Sequence, residues 1–237
     1  MSISKFLRSR RFFFSLSLLS ATAIALYSVS QPTLRTSTAI AATTFPAPTV
    51  VLPSAQGEQT AVLAGGCFWG LEAVFEHLKG VSNVVSGFSG GDAATAHYEE
   101  VSSGSTGHAE AVKITYDPAQ ISYGQLLQVY FAVAHDPTQL NRQDPDSGTQ
   151  YRSAIFFENT EQQNSAKAYI DQLNQAHVFK DAIATQVTPL TGFYEAEEYH
   201  QNFIDHNPDY PYVVINDLPK IKRLQEQFPT LYQNEVK

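Results

Sequence analysis

One cysteine in 237 residues, Cys67, decides how this chain must hold itself together. A single thiol can close no intramolecular disulfide and can form neither a CxxC redox pair nor a structural zinc cluster. Order must therefore come from a packed core. With 43% hydrophobic and 12% aromatic residues the composition is rich enough to supply one. The cysteine lies in Gly65-Gly66-Cys67-Phe68-Trp69-Gly70, where an apolar run gives way to a helical pattern. The usual fate of a lone cysteine is to pack as a small apolar side chain, but a glycine-flanked corner between strand and helix is a poor place to hide one. The unsatisfied N–H groups and positive dipole end of the helix start are expected to favour thiolate over thiol there.

The front of the chain does not belong to that core. Residues 1–11 are basic and Phe12 to Val29 form an uncharged apolar run, with a small-x-small site at Ala39-Ile40-Ala41. This is the layout of an export signal, so residues 1–41 are read as a leader. Ser9-Arg10-Arg11-Phe12-Phe13-Phe14 suits a twin-arginine signal and a general secretion signal equally. The apolar run, at about 18 residues, is also just long enough for an uncleaved membrane anchor. Export implies a periplasm or an equivalent lumen. Residues 42–59, with Pro46, Pro48 and Pro53, read as a mobile linker without a core of its own, and residues 60–237 as the folded domain. Formal net charge is -8; taking Lys5, Arg8, Arg10, Arg11 and Arg35 from the 15 basic residues leaves 10 against 23 acidic, or -13. So acidic a mature surface argues against nucleic acid or an anionic membrane as partner. Met1 is the only methionine, so the mature chain lacks one common oxidative lesion.

Within the domain, apolar runs and helical periodicities alternate. Thr60–Ala64 predicts a buried strand. Leu71, Val74, Phe75 and Leu78 predict a helix ending at Gly80, and Val81–Phe88 a second strand. In Ala109–Tyr116, Val112, Ile114 and Tyr116 share one face by period two, and Glu110 falls in register with them. A carboxyl group is thereby aimed at the apolar side, where desolvation raises its pKa. Ser122-x-x-Gln125 and Thr160-x-x-Gln163 read as capping boxes opening two further helices. Strands are expected at Ser153–Phe157 and near Thr185–Leu190, a short helix around Glu197–Asp205, and a tail helix from about Lys220 to Phe228. This alternation predicts a mixed α/β (α+β) sandwich with helices flanking a mixed sheet.

Metal chemistry finds no support: there is no HExxH, and His200 and His206 lack ligand spacing and a third partner. None of the seven histidines stands in a recognisable nucleophile–base motif with Cys67. The coherent set is Cys67, Phe68, Trp69, Tyr98, Glu110, Asp146 and Tyr151. It is carried by five stretches in order: Gly66-Cys67-Phe68-Trp69-Gly70, Thr106-Gly107-His108-Ala109-Glu110, His135-Asp136-Pro137-Thr138, Gly148-Thr149-Gln150-Tyr151-Arg152-Ser153, and Gly192-Phe193-Tyr194-x-Ala196-Glu197-x-x-His200-Gln201. Together they resemble the A-type peptide methionine sulfoxide reductases (MsrA) over about residues 60–215.

That resemblance implies a two-layer ferredoxin-like sandwich and reduction of methionine-S-sulfoxide in oxidised proteins or peptides, a repair of oxidative damage. It further implies Cys67 as nucleophile, left as a sulfenic acid; Glu110 as proton donor, helped by the hydroxyls of Tyr98 and Tyr151; and Asp146 as an organising carboxylate. Phe68 and Trp69 would hold the substrate methyl. The chain departs from many relatives in having no further cysteine near its end, since Pro211-Tyr212 is followed by Val213. The resemblance therefore implies a monomer with no bound cofactor, recycled by an external thiol of the thioredoxin or glutaredoxin/glutathione type. A thiol hydrolase, or a non-catalytic module that binds oxidised chains, are the readings it competes with.

Overall fold

In a computed structural model of the chain, the described residues are 45–50, 52 and 56–234. The leader expected at residues 1–41 lies outside them. The elements follow in chain order: β1 (Gln59–Ala64), α1 (Phe68–Glu76), β2 (Val81–Ser89), α2 (Tyr98–Val101), β3 (Ala109–Tyr116), α3 (Tyr123–Val129), β4 (Arg142–Gln143), β5 (Asp146–Ser147), β6 (Ala154–Phe157), α4 (Thr160–Gln175), β7 (Gln186–Pro189), β8 (Phe193–Glu195), α5 (Phe203–His206) and α6 (Leu218–Gln227).

Six strands form one sheet in the order β7-β6-β1-β3-β2-β8, while β4 and β5 make a separate two-stranded ribbon. The central four, β6-β1-β3-β2, are antiparallel neighbours throughout. β1 and β2 therefore point the same way with β3 between them, joined by a crossover through α1, and β3 reaches β6 by a connection that contains α3. This is the ferredoxin-like order. Only β6 and β7 pair in parallel, which makes the sheet mixed. Strand alternation sorts side chains into two faces. Ala61, Leu63, Val112 and Ile114 face the helices and pack against Phe68, Leu71, Val74 and Phe75 of α1 and Leu126 and Val129 of α3. Val62, Ala64, Ala109 and Ala111 face the other way, under Leu190 and Phe193. Each of the large side chains sealed from water in the main cluster contributes about 1.5–3 kcal/mol.

Local chemistry sets several boundaries. Gly80, at φ 89°, ends the α1 segment in a conformation that favours glycine. The Ser122–Gln125 capping box forms as expected, Ser122 Oγ accepting from the Gln125 backbone N–H at 3.2 Å. The second capping box does not. Asn159, one residue earlier, caps α4 by accepting from the Gln162 N–H at 2.9 Å, because its backbone is extended while Thr160 is already the first helical residue. The tail helix begins at Leu218 rather than Lys220, Pro219 fitting its first turn, and continues from a π-helical turn at Val213–Asp217.

Part of the segment expected to be a free linker is docked. The Tyr169 hydroxyl donates to Pro46 O at 2.5 Å, Gln172 Nε2 to Ala47 O at 2.8 Å, and Gln128 Nε2 to Phe45 O at 2.9 Å. Phe45 also meets Phe179, ring centroids 6.0 Å apart. Prolines leave carbonyls without competing local N–H donors, and α3 and α4 supply partners for them.

Candidate active site

The reactive corner is built where β1 ends. Gly66 takes φ 99°, and Cys67 then stands as the N-cap of α1. A Cβ on Gly66 would come within 2.6 Å of Gln143 Cγ, so its absence lets β4 close over the corner. β3 runs antiparallel beside β1, with Leu63 opposite Val112. Continuing that register brings Glu110 opposite Gly65, on the face shared with Val112 and Ile114. The sequence's period-two reading of Glu110 therefore corresponds to its placement. Glu110 is 2% exposed, and its Oε2 accepts the Phe68 backbone N–H at 3.1 Å. The residue following the thiol is thus tied to the buried carboxyl.

A cavity of about 190 Å³ opens on this corner. Cys67, Phe68, Trp69, Tyr98, Glu110, Asp146 and Tyr151, the whole set singled out in the sequence, line it. Tyr210 and Tyr212 line it as well and were not anticipated. They arrive from an irregular stretch after α5 that carries no periodic signal; the tyrosines alternating about Pro211 were the one hint. The Tyr212 hydroxyl donates to Asp146 Oδ2, so the tail of the chain anchors the ribbon's carboxylate. Phe68 is fully buried and packs on Phe88 with ring centroids 5.8 Å apart. Trp69 stacks on Phe203 at 3.7 Å and donates its indole N–H to His200 Nδ1 at 3.2 Å. His200 also lies 4.2 Å, centroid to centroid, from the Tyr98 ring. It is a scaffold for two cavity side chains, a role its position in the sequence did not reveal.

Electrostatics divide the residues into acids and donors. Burial pushes the Glu110 carboxyl up from 4.5 to about 8; the Phe68 N–H pulls it back and Asp146 adds to the rise. At neutral pH Glu110 is a protonated acid. Burial likewise lifts Tyr98 to about 12 and Tyr151 higher still, so both hydroxyls are proton-bearing donors. The expectation of a thiolate at Cys67 is overturned. Burial, then Glu110, then Asp217 push its pKa well up, outweighing the Trp69 N–H and Lys220, which pull it down. A dipole end equivalent to about half a charge does not offset the desolvation of a thiolate at a residue only 8% exposed. The site at rest holds a thiol beside a carboxylic acid.

Such an arrangement suits a nucleophilic sulfur attacking a centre whose oxygen is protonated by neighbouring groups. Among the described residues no histidine lines the cavity, which leaves a Cys-His hydrolase without its base. Residues 59–232 match the family model of peptide methionine sulfoxide reductases. The chain belongs to the peptide methionine sulfoxide reductase family. The reductase is 57% identical to peptide methionine sulfoxide reductase MsrA 2 of Mesorhizobium japonicum over 77% of its own length and 93% of that protein's. To MsrA 2 of Synechocystis it is 55% identical, over 75% and 83% of the two chains. Among solved structures it is similar to Mxr1 from Saccharomyces cerevisiae in reduced form, with TM-score 0.60, 31% identity and 68% and 92% coverage. It is also similar to methionine sulfoxide reductase A of Corynebacterium diphtheriae, with TM-score 0.56, 36% identity and 69% and 82% coverage.

Proposed function

We propose that this reductase repairs oxidised proteins by reducing methionine-S-sulfoxide to methionine, with Cys67 as its nucleophile. The observation that carries the reading is the pairing of the only thiol with a buried, protonated carboxyl. Cys67 and Glu110 meet through the Phe68 backbone at a cavity that four tyrosines also line. The methyl group lies against the Phe68 and Trp69 rings, and Tyr98 and Tyr151 donate to the sulfoxide oxygen. Glu110 gives its proton to that oxygen as it takes the proton leaving the thiol. The Cys67 sulfur bonds to the sulfoxide sulfur; that S–S bond and the substrate S–O bond then break as the protonated oxygen passes to the cysteine sulfur, releasing methionine and leaving Cys67 as a sulfenic acid. The substrate sulfur gains two electrons and the cysteine sulfur loses two. Asp146, held by Tyr212, keeps the opposite wall acidic and in place.

No second cysteine can attack the sulfenic acid within the chain. An outside thiol displaces water to form a mixed disulfide, and a second thiol releases Cys67–SH. A thioredoxin-type protein, or glutathione with a glutaredoxin, supplies them. The basic, apolar front of the chain supports delivery across a membrane before this work begins.

The test is stoichiometry. Without added thiol, one S-sulfoxide is expected to be reduced per chain, leaving Cys67 one oxygen atom heavier by mass. Dithiothreitol should restore turnover, and the R epimer should stay untouched. Sulfoxide reduction by Cys67→Ser would refute the assignment.

A further inference from the structure

Among the described residues one ion pair is buried, and it rests on the helix turn that presents Cys67. Asp217 is fully buried; its Oδ1 accepts from Lys220 Nζ at 3.1 Å, and its Oδ2 has no partner. Lys220 is itself largely covered, with 14% of its side chain exposed. The pair fits only because residue 70 is glycine. A Cβ there would lie 2.6 Å from Lys220 Nζ and closer still to Asp217 Oδ1. Gly70 is on the first turn of α1, three residues after Cys67.

Three groups able to carry negative charge thus share one helix end: Cys67 at the N-cap, Glu110 on the Phe68 N–H, and Asp217 against Gly70. The end offers about half a positive charge, and among the described residues Lys220 is the cation that acts on the sulfur. Asp146 and the tyrosines Tyr98, Tyr151, Tyr210 and Tyr212 are the other ionisable residues lining the cavity at the sulfur. Burial of an ammonium and a carboxylate is costly, and this pair lies outside the cavity lining.

We propose that Asp217 and Lys220 are a positioning pair that keeps Cys67 a thiol at rest, Asp217 withholding the helix-end field from the sulfur and Lys220 limiting how far it does so. The proposal rests on the reading of Cys67 as the reacting residue. A thiol reacts slowly with peroxide where a thiolate reacts fast, and a chain without a second cysteine has no internal means of rescuing a sulfenic acid formed without substrate. When sulfoxide fills the cavity, the thiol proton leaves through Glu110, so the protonated rest state costs the reaction little.

The experiment measures the pH midpoint of Cys67 alkylation by iodoacetamide in the full chain. Asp217→Asn is expected to lower the midpoint by on the order of one pH unit, about tenfold more thiolate at neutral pH, and to speed oxidation by hydrogen peroxide by a similar factor. Lys220→Met should raise the midpoint, and Lys220→Arg should leave it in place. Damage to packing would not move two neighbouring variants in opposite directions. Midpoints that move together, or that stay at the wild-type value, overturn the proposal. If Asp217→Asn does not fold, the lysine variants decide: a rise with methionine and none with arginine supports the pair, and no change in either overturns it. Loss of sulfoxide reduction in Cys67→Ser reads the underlying assignment separately, so a failure of the pair is distinguishable from a failure of the nucleophile.

Discussion

Replacing Glu110 by glutamine separates what the carboxyl does for chemistry from what it costs the fold. The amide keeps the shape and an acceptor for the Phe68 N–H, now 3.1 Å from Oε2, but has no acidic proton to give. Removing a positioned acid should slow the chemical step about 10²–10⁴-fold. In the wild type the active form is protonated, so the rate should be steady below pH 8 and fall as Glu110 ionises through about 8. Stability carries the complementary sign. The folded carboxyl titrates near 8 and the ordinary one at 4.5, so between these values the folded state holds the proton more tightly and loses stability as pH rises. At about 1.4 kcal/mol per pH unit that window corresponds to on the order of 5 kcal/mol, reduced to a few by water entering the open side of the cavity. Glutamine removes this loss. Urea unfolding of both proteins at about pH 4.5, 7 and 8.5 should show equal stability at the lowest value and a growing advantage for Glu110→Gln above it. Taking the difference between the two proteins cancels Glu72 and Glu76, which burial also raises, to about 7 and about 8. A gap independent of pH, or an undiminished single-turnover rate, would refute the reasoning.

Two further substitutions probe how the corner and the ribbon are held. Gly66→Ala should cost about 1–3 kcal/mol from the left-handed backbone and the collision with Gln143, read by thermal unfolding, and should slow catalysis by displacing the ribbon that carries Asp146. Tyr212→Phe removes the hydroxyl on Asp146; the fold should lose no more than about 1.5 kcal/mol, and kcat should fall while Cys67 remains alkylatable, as steady-state kinetics and mass measurement would show.

Strong periodicities made the inner fold readable. β1 carries a continuous apolar run, β3 an alternating pattern and the start of α3 a capping box, each reinforced by tertiary packing, and Glu110 could be assigned to the core face from spacing alone. The pieces that escaped were short: α2, β8 and the β4–β5 ribbon span two to four residues each, too few for a period to register. Tyr210 and Tyr212 escaped for a different reason, because only the return of an irregular tail to α1 makes them neighbours of Cys67. The ionisation of Cys67 was misjudged because the sequence displays the helix start but not the burial, nor the two carboxyl groups that gather on it. Residues 45–49 looked free because proline-rich composition says what a segment cannot form by itself, not what will accept its carbonyls.

The sulfur and its acid hang from the two innermost strands, β1 and β3, each flanked on both sides. Rungs in the middle of a ladder are the last to open when a sheet breathes, whereas β7 and β8 at the margins come loose first. A molecule whose task begins when its surroundings turn oxidising therefore carries its chemistry on its most durable timber.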